Sequence, residues 1–211
     1  MTNRFKLSAA ELNVLRKLTT PIKIQNYLDS VPLNWEKRGE TYMSPRHVLR
    51  EHKMHCFEGA LLAAAALWLH GEPPLLLDLR AQGDDDHVVA LYKRHGYWGA
   101  ISKTNHASLR FRDPIYKTMR ELALSYFHEY FSNVTGKKVL REYSATPFSL
   151  KAFGTGWLTS EADLDDIAAA LDADPHNSLI PPRNRSYIRP ADRMERRAGH
   201  IIEWLKSNPR T

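Results

Sequence analysis

Cys56 is the only cysteine in a chain of 211 residues, and it opens an alanine- and leucine-rich run that ends at Gly71. A thiol at a helix start sits among unpaired backbone N–H groups and the positive end of the helix dipole, which favours thiolate and lowers the thiol pKa. His87 begins the second of the apolar segments that follow. A thiol at a helix start and an imidazole at a strand start are the parts of a nucleophile and its base. The opposing reading of a lone cysteine, a small buried hydrophobe, attaches no chemistry to it.

Other polar residues gather near these two. Gly83-Asp-Asp-Asp86 places three carboxylates just before His87, as an acidic turn or as a charge partner for the imidazole. Gly99-Ala-Ile-Ser-Lys-Thr-Asn-His106 follows an apolar strand and suits a pocket loop, so Lys103 and His106 are candidate substrate contacts, with a simple polar strand cap as the alternative. Trp35 and Trp98 are candidate aromatic contacts, and Gln25 and Trp35 are candidate donors to an oxyanion. His52, His55 and Cys56 are crowded, but His-x-x-His-Cys is not a zinc spacing, so no metal and no cofactor are expected, and His55 is read as a flanking residue.

The elements that must position these groups are legible from caps and periodicity. Ser8 with Glu11 forms a capping box ahead of Leu12, Leu15 and Leu18. Pro21 restarts a short amphipathic helix over Ile22 to Leu28, Val31 to Trp35 is an extended connection, and Ser44-Pro45 caps a short helix through His52. Leu75 to Leu79, His87 to Tyr92 and Tyr97 to Ile101 read as strands, the last two joined by a hairpin turn at Arg94-His-Gly96. Asp113-Pro114 is expected to end the sheet, with helices following over Tyr116 to Phe131, Glu161 to Leu171 and Met194 to Lys206. In the first of these, Leu122, Leu124, Tyr126, Phe127 and Tyr130 are the expected buried face.

The implied class is α+β in a single domain over residues 1–211, with a core at about 22–131 and a C-terminal helical extension with a basic strap at about 132–211. The strap concentrates Arg183, Arg185, Arg189, Arg193, Arg196 and Arg197 among prolines in a chain of net charge +6. No nucleic-acid-binding signature accompanies it, so a nucleic acid is an unexpected partner, and Tyr187 and Ile188 are expected to dock the strap on the core. The apolar run Gly59 to Leu69 is about half of the ~20 residues that a membrane span needs, so no membrane partner is expected. One cysteine and an N-terminus without an apolar leader point to the reducing cytoplasm. Phe148, Phe153 and Trp157 are expected to cover one side of a cleft.

A short helix ending in Ser44-Pro-Arg-His-Val-Leu-Arg50, the cysteine, an Ala/Leu helix ending in Leu69-His-Gly71, a strand, and then His87 at a strand start together resemble the transglutaminase-like core of the papain-like cysteine-enzyme superfamily. The resemblance covers roughly Ile22 to Asn105. It implies a central helix carrying Cys56 packed on an antiparallel sheet, with C-terminal helices added, and acyl transfer or hydrolysis through a Cys56 thioester with His87 as general acid and base. Its third member is an aspartate about four residues beyond the strand tryptophan, where this chain has Ser102. Asn105, Ser102 and Asp113 are the substitutes, the first because papain-like enzymes orient the histidine with asparagine. The implied partner is a peptide, protein or small amide substrate, and a binding module on an inactivated enzyme scaffold is the alternative.

Overall fold

The computed structural model describes residues 5–37 and 39–204, so the start of the chain before Phe5, and Leu205 and Lys206 of the last expected helix, lie outside the described residues. Four helices come first: α1 (Ala9–Lys17), α2 (Pro21–Ser30), α3 (Pro45–Glu51) and α4 (Cys56–Leu69). Each start is chemically marked. Ser8 Oγ accepts from the Glu11 N–H while Glu11 accepts from the Ser8 N–H, Thr20 caps α2 ahead of Pro21, and Ser44 caps α3 ahead of Pro45. α3 ends where His52 turns left-handed at φ 52°.

α4 is buried without interruption from Phe57 to Leu67, as an all-round apolar helix must be. Helices α1, α2 and α3 cover it on one side and a sheet covers it on the other. The sheet comprises β1 (Leu75–Ala81), β2 (His87–Arg94), β3 (Tyr97–Ile101), β4 (Arg112–Tyr116), β5 (Leu140–Ser144), β6 (Phe148–Ser149) and β7 (His176–Ser178). Its order is β4-β3-β2-β1-β5-β7, with β6 pairing the start of β1, and every pairing is antiparallel. The protein is therefore α+β, with an antiparallel sheet. The β2–β3 turn closes on Arg94 opposite Tyr97, with His95 and Gly96 both at positive φ, as a two-residue hairpin of the twist-matched kind requires.

The sheet is covered on both faces. Leu76, Val88, Ala90, Tyr92 and Ile101 join the α4 core, whereas Leu77, Leu79, Val89, Leu91 and Ala100 pack with Leu122, Ala123 and Tyr126 of α5 (Met119–Phe127). Double coverage is why β1 and β2 read as continuous apolar runs rather than as alternation.

Four expectations are corrected here. Asp113-Pro114 does not end the sheet: it lies within β4, an edge strand, where a residue lacking an N–H costs no ladder bond. α5 is shorter than Tyr116 to Phe131, because Thr118 and Glu121 form a capping box that fixes its start. The C-terminal part is not a helical extension only: β5 and β6 pair with β1, and β7 extends β5, alongside α6 (Asp165–Ala173) and α7 (Arg193–Gly199). In the basic strap Ile188 packs on the second core, but Tyr187 is exposed. Some of its charge is absorbed locally, Arg189 by Asp192 and Glu195, and Arg196 by the Asn133 and Val134 carbonyls. Among the described residues no helix is long and apolar enough to cross a membrane.

Gly59 lets the loop after β3 approach α4. A Cβ there would lie 2.4 Å from the Lys103 Cβ, and that atom is held close to its own backbone. Gly59→Ala should therefore destabilise the fold by about 1–3 kcal/mol despite the better helix propensity of alanine. A lowered urea midpoint with an unchanged slope would show it; an unchanged or raised midpoint would refute it.

Candidate active site

A cleft of about 870 Å³ opens at the N-terminal end of α4, and Cys56, His55 and His87 all line it. α4 delivers the thiol because Met54, just before it, accepts from the Asn34 N–H at 3.0 Å and donates to the Pro32 carbonyl at 3.2 Å, which fixes where the helix begins. β2 delivers the imidazole from its first residue. The Cys56 Sγ lies 3.8 Å from the Asp86 carbonyl oxygen, and the rings of Tyr126 and Tyr130 meet the His87 ring edge-on at 6.3 and 6.5 Å.

The His87 Nε2 lies 2.8 Å from the Ser102 Oγ. That hydroxyl donates its one hydrogen to the Leu109 carbonyl at 2.8 Å, so toward His87 it accepts. The arrangement puts the ring proton on Nε2 in neutral His87 and leaves the Nδ1 lone pair for chemistry. Ser102 is held in turn by Gln25, whose Oε1 accepts from the Ser102 N–H at 2.9 Å and whose Nε2 donates to the Ser102 carbonyl at 2.8 Å. Of the three candidates for the third position, Ser102 is the one that touches His87. The Asn105 Oδ1 accepts from the Trp204 N–H at 2.7 Å and anchors the C-terminal segment, and Asp113 is exposed on β4. Gln25 is engaged by Ser102 and is not an oxyanion donor.

Burial works against a charged thiol, but hydrogen bonds and positive charge from His55 and His87 more than offset it, and Cys56 is pulled down to about 5. His55 is likewise disfavoured as a cation by burial, yet Cys56 and Glu58 raise it to about 11. The partner of His55 is the fully buried Glu58, 3.4 Å away. Glu58 accepts from the Thr41 hydroxyl at 2.8 Å, the His55 N–H at 2.9 Å, the Met43 N–H at 3.2 Å and Asn34 Nδ2 at 3.2 Å. His55 Nε2 also lies 2.7 Å from the Thr41 carbonyl. Sequence reasoning passed over this pair. The available signal was one carboxylate inside an uninterrupted apolar helix, three residues after a histidine, since a buried charge demands a partner.

The remaining candidates divide. Trp35 lines the cleft, and its buried indole N–H has no partner among the described residues. His106 lines it as well, with Nδ1 3.3 Å from the Gly199 carbonyl. Lys103 lines the cleft too, but it is 1% exposed and its ammonium is spent on the Leu28 and Val31 carbonyls at the end of α2. Trp98 is misassigned, being packed on the far core with the Lys93 ammonium 4.6 Å from its ring centroid. The Asp86 carboxylate does not rest on His87 but accepts from the Ala81 N–H at 2.7 Å. Phe148, Phe153 and Trp157 pack against the α4 core, with Trp157 stacked on Trp68 at 6.1 Å, and the C-terminal half reaches the cleft instead through Tyr130, α6 and the segment after α7. No protein-family model matches the chain, and no curated protein is detectably similar to it.

Iodoacetamide should alkylate Cys56 with a midpoint near pH 5, against ~8.5 for an ordinary thiol. His55→Asn should move that midpoint upward, because a cation beside the thiolate is lost, and should cost about 3–5 kcal/mol in urea unfolding, because Glu58 loses its counter-charge. An unmoved midpoint would remove His55 from the thiolate's support.

Proposed function

We propose that the protein is a cysteine-dependent amide hydrolase or acyltransferase of the transglutaminase-like, papain-like type, with Cys56 as nucleophile and His87 as general acid and base. The observation that carries this reading is the chain Cys56–His87–Ser102 at the mouth of one cleft, with the thiol depressed to about 5 and the His87 tautomer set by Ser102. The order of a central cysteine helix followed by an antiparallel sheet with His87 on its second strand supports the family reading.

In the mechanism, the Cys56 thiolate attacks the substrate carbonyl carbon, forming a C–S bond and an oxyanion. N–H groups at the start of α4 and the unpartnered Trp35 indole N–H are the donors available to that oxygen. The proton given up by the Cys56 thiol is carried on His87 Nδ1, which passes it to the departing nitrogen as the C–N bond breaks, leaving a thioester. Water, or an amine in a transferase, then gives up a proton to the same Nδ1 and attacks the thioester, and C–S cleavage restores the thiolate. His55 takes no part in the transfer; at a pKa of about 11 it keeps its proton and holds the negative charge of sulfur in place.

p-Nitrophenyl acetate tests this directly. A burst of one nitrophenolate per chain should accompany an acetyl group on Cys56 in the mass spectrum, and Cys56→Ser should abolish both. His87→Ala should slow turnover of the acetyl-enzyme by about 10²–10⁴-fold. Slow release without an acetylated Cys56 would reject the proposal.

A further inference from the structure

One end of the cleft is not used by this mechanism. Asp78 on β1 lies opposite Val88, one residue after His87, and lines the same cleft as Cys56. Its side chain is 5% exposed, and its two oxygens differ: Oδ2 lies 3.1 Å from His176 Nε2, whereas the buried Oδ1 has no hydrogen-bond partner among the described residues. A buried carboxylate oxygen without a donor costs free energy that a ligand's N–H groups would return.

The surroundings suit a cation on an apolar stem. Phe57, Val88, Ala168 and Leu171 line the cleft alongside Asp78, and Asp172 adds a carboxylate at its exposed side. Asp86 bears on Asp78 electrostatically, and Asp172 bears on Asp86. Two basic groups face Asp78 Oδ2, His176 at 3.1 Å and Arg80 at 3.7 Å, and Arg80 is already engaged by the Asp172 carboxylate and carbonyl; neither reaches Oδ1. Asp78 is pushed up to about 6, by burial first and then by Asp86, with His176 and Arg80 only partly opposing the rise. A chain carrying net charge +6 thus concentrates carboxylates at this point of its cleft.

Resting on the reading of Cys56 as nucleophile, we propose that Asp78, assisted by Asp86 and Asp172, forms a specificity pocket for a basic side chain of the acyl donor, a guanidinium or ammonium on an aliphatic stem. The cation belongs to the donor rather than to an acceptor amine. An acceptor must attack as the free base, and carboxylates around a nitrogen keep it protonated. The group held at Asp78 is therefore recognised and not consumed.

The test compares N-acetyl-arginine amide with N-acetyl-norleucine amide, similar stems with and without charge, binding to the full chain by calorimetry or NMR titration. The arginine compound should bind at least ~tenfold tighter, in line with hydrogen bonds to a charged group. Asp78→Asn should reduce that preference to about twofold or less, and the exposed Asp172→Asn should reduce it by a smaller factor. Should Asp78→Asn fail to fold, the wild-type preference and its reduction in Asp172→Asn still decide. Arginine amide should also protect Cys56 from iodoacetamide, which places the cation in the same cleft. Equal binding of the two amides, or a preference unchanged in both variants, overturns the pocket. Slow alkylation of unliganded Cys56 at neutral pH overturns the nucleophile reading instead, and the binding comparison is independent of it.

Discussion

The buried carboxylate of Glu58 is the constraint on which the cleft depends. It sits in the first turn of an otherwise apolar helix, fully removed from water, where an unpaired charge would cost several kcal/mol. Its neutralisation draws in Asn34, Thr41 and Met43 from one connection and His55 from the residue before the helix. One charge thereby holds the wall of the cleft that includes Asn34, Trp35 and Tyr42 and fixes a protonated imidazole beside the thiol. A carboxylate in the first turn also suits the helix dipole, so the same group favours the start of α4 at Cys56.

That arrangement bears on the partner of His87, which is the Ser102 hydroxyl and not a carboxylate among the described residues. In a Cys–His–Asp triad the carboxylate stabilises the imidazolium, which in turn stabilises the thiolate. Here His55, paired with Glu58, adds a second positive charge beside the thiol, so the support does not rest on His87 alone. In the proposed mechanism His87 has only to exchange a proton, and for that a neutral hydroxyl of fixed orientation is enough. Ser102 meets the requirement because both its hydroxyl and its backbone are held, the first by Leu109 and the second by Gln25.

The parts legible in the sequence are those governed by local chemistry. Capping at Ser8 and Ser44, the restart at Pro21, the His95-Gly96 turn and the uniformly apolar α4 appear where side-chain type and spacing place them. The thiol and imidazole were legible for the same reason, each marking the first residue of an element. β5 was not: Leu140-Arg-Glu-Tyr-Ser144 carries charges where it runs between β1 and β7, and it pairs with β1 across about sixty residues of chain. The burial of Lys103 was not legible, because an ammonium in a polar loop reads as solvated, whereas the end of α2 offers it carbonyls that no linear pattern reveals. Asn105 misled in the opposite sense, its spacing suiting an orienting residue while its hydrogen bonds serve the chain terminus.

Charge is distributed in this protein against its net balance. The basic excess lies largely in the strap after Pro181, where Arg189 and Arg196 are tied to carboxylates and carbonyls, while the cleft is bordered by Asp78, Asp86 and Asp172. Carboxylates near a thiolate oppose its negative charge, so this border would raise the Cys56 pKa if it acted alone. The thiol is nonetheless depressed, because the two imidazoles outweigh burial. Under the proposed reading such a cleft would disfavour anionic amides and favour cationic ones, while His55 acts on the sulfur locally, where screening by solvent is least.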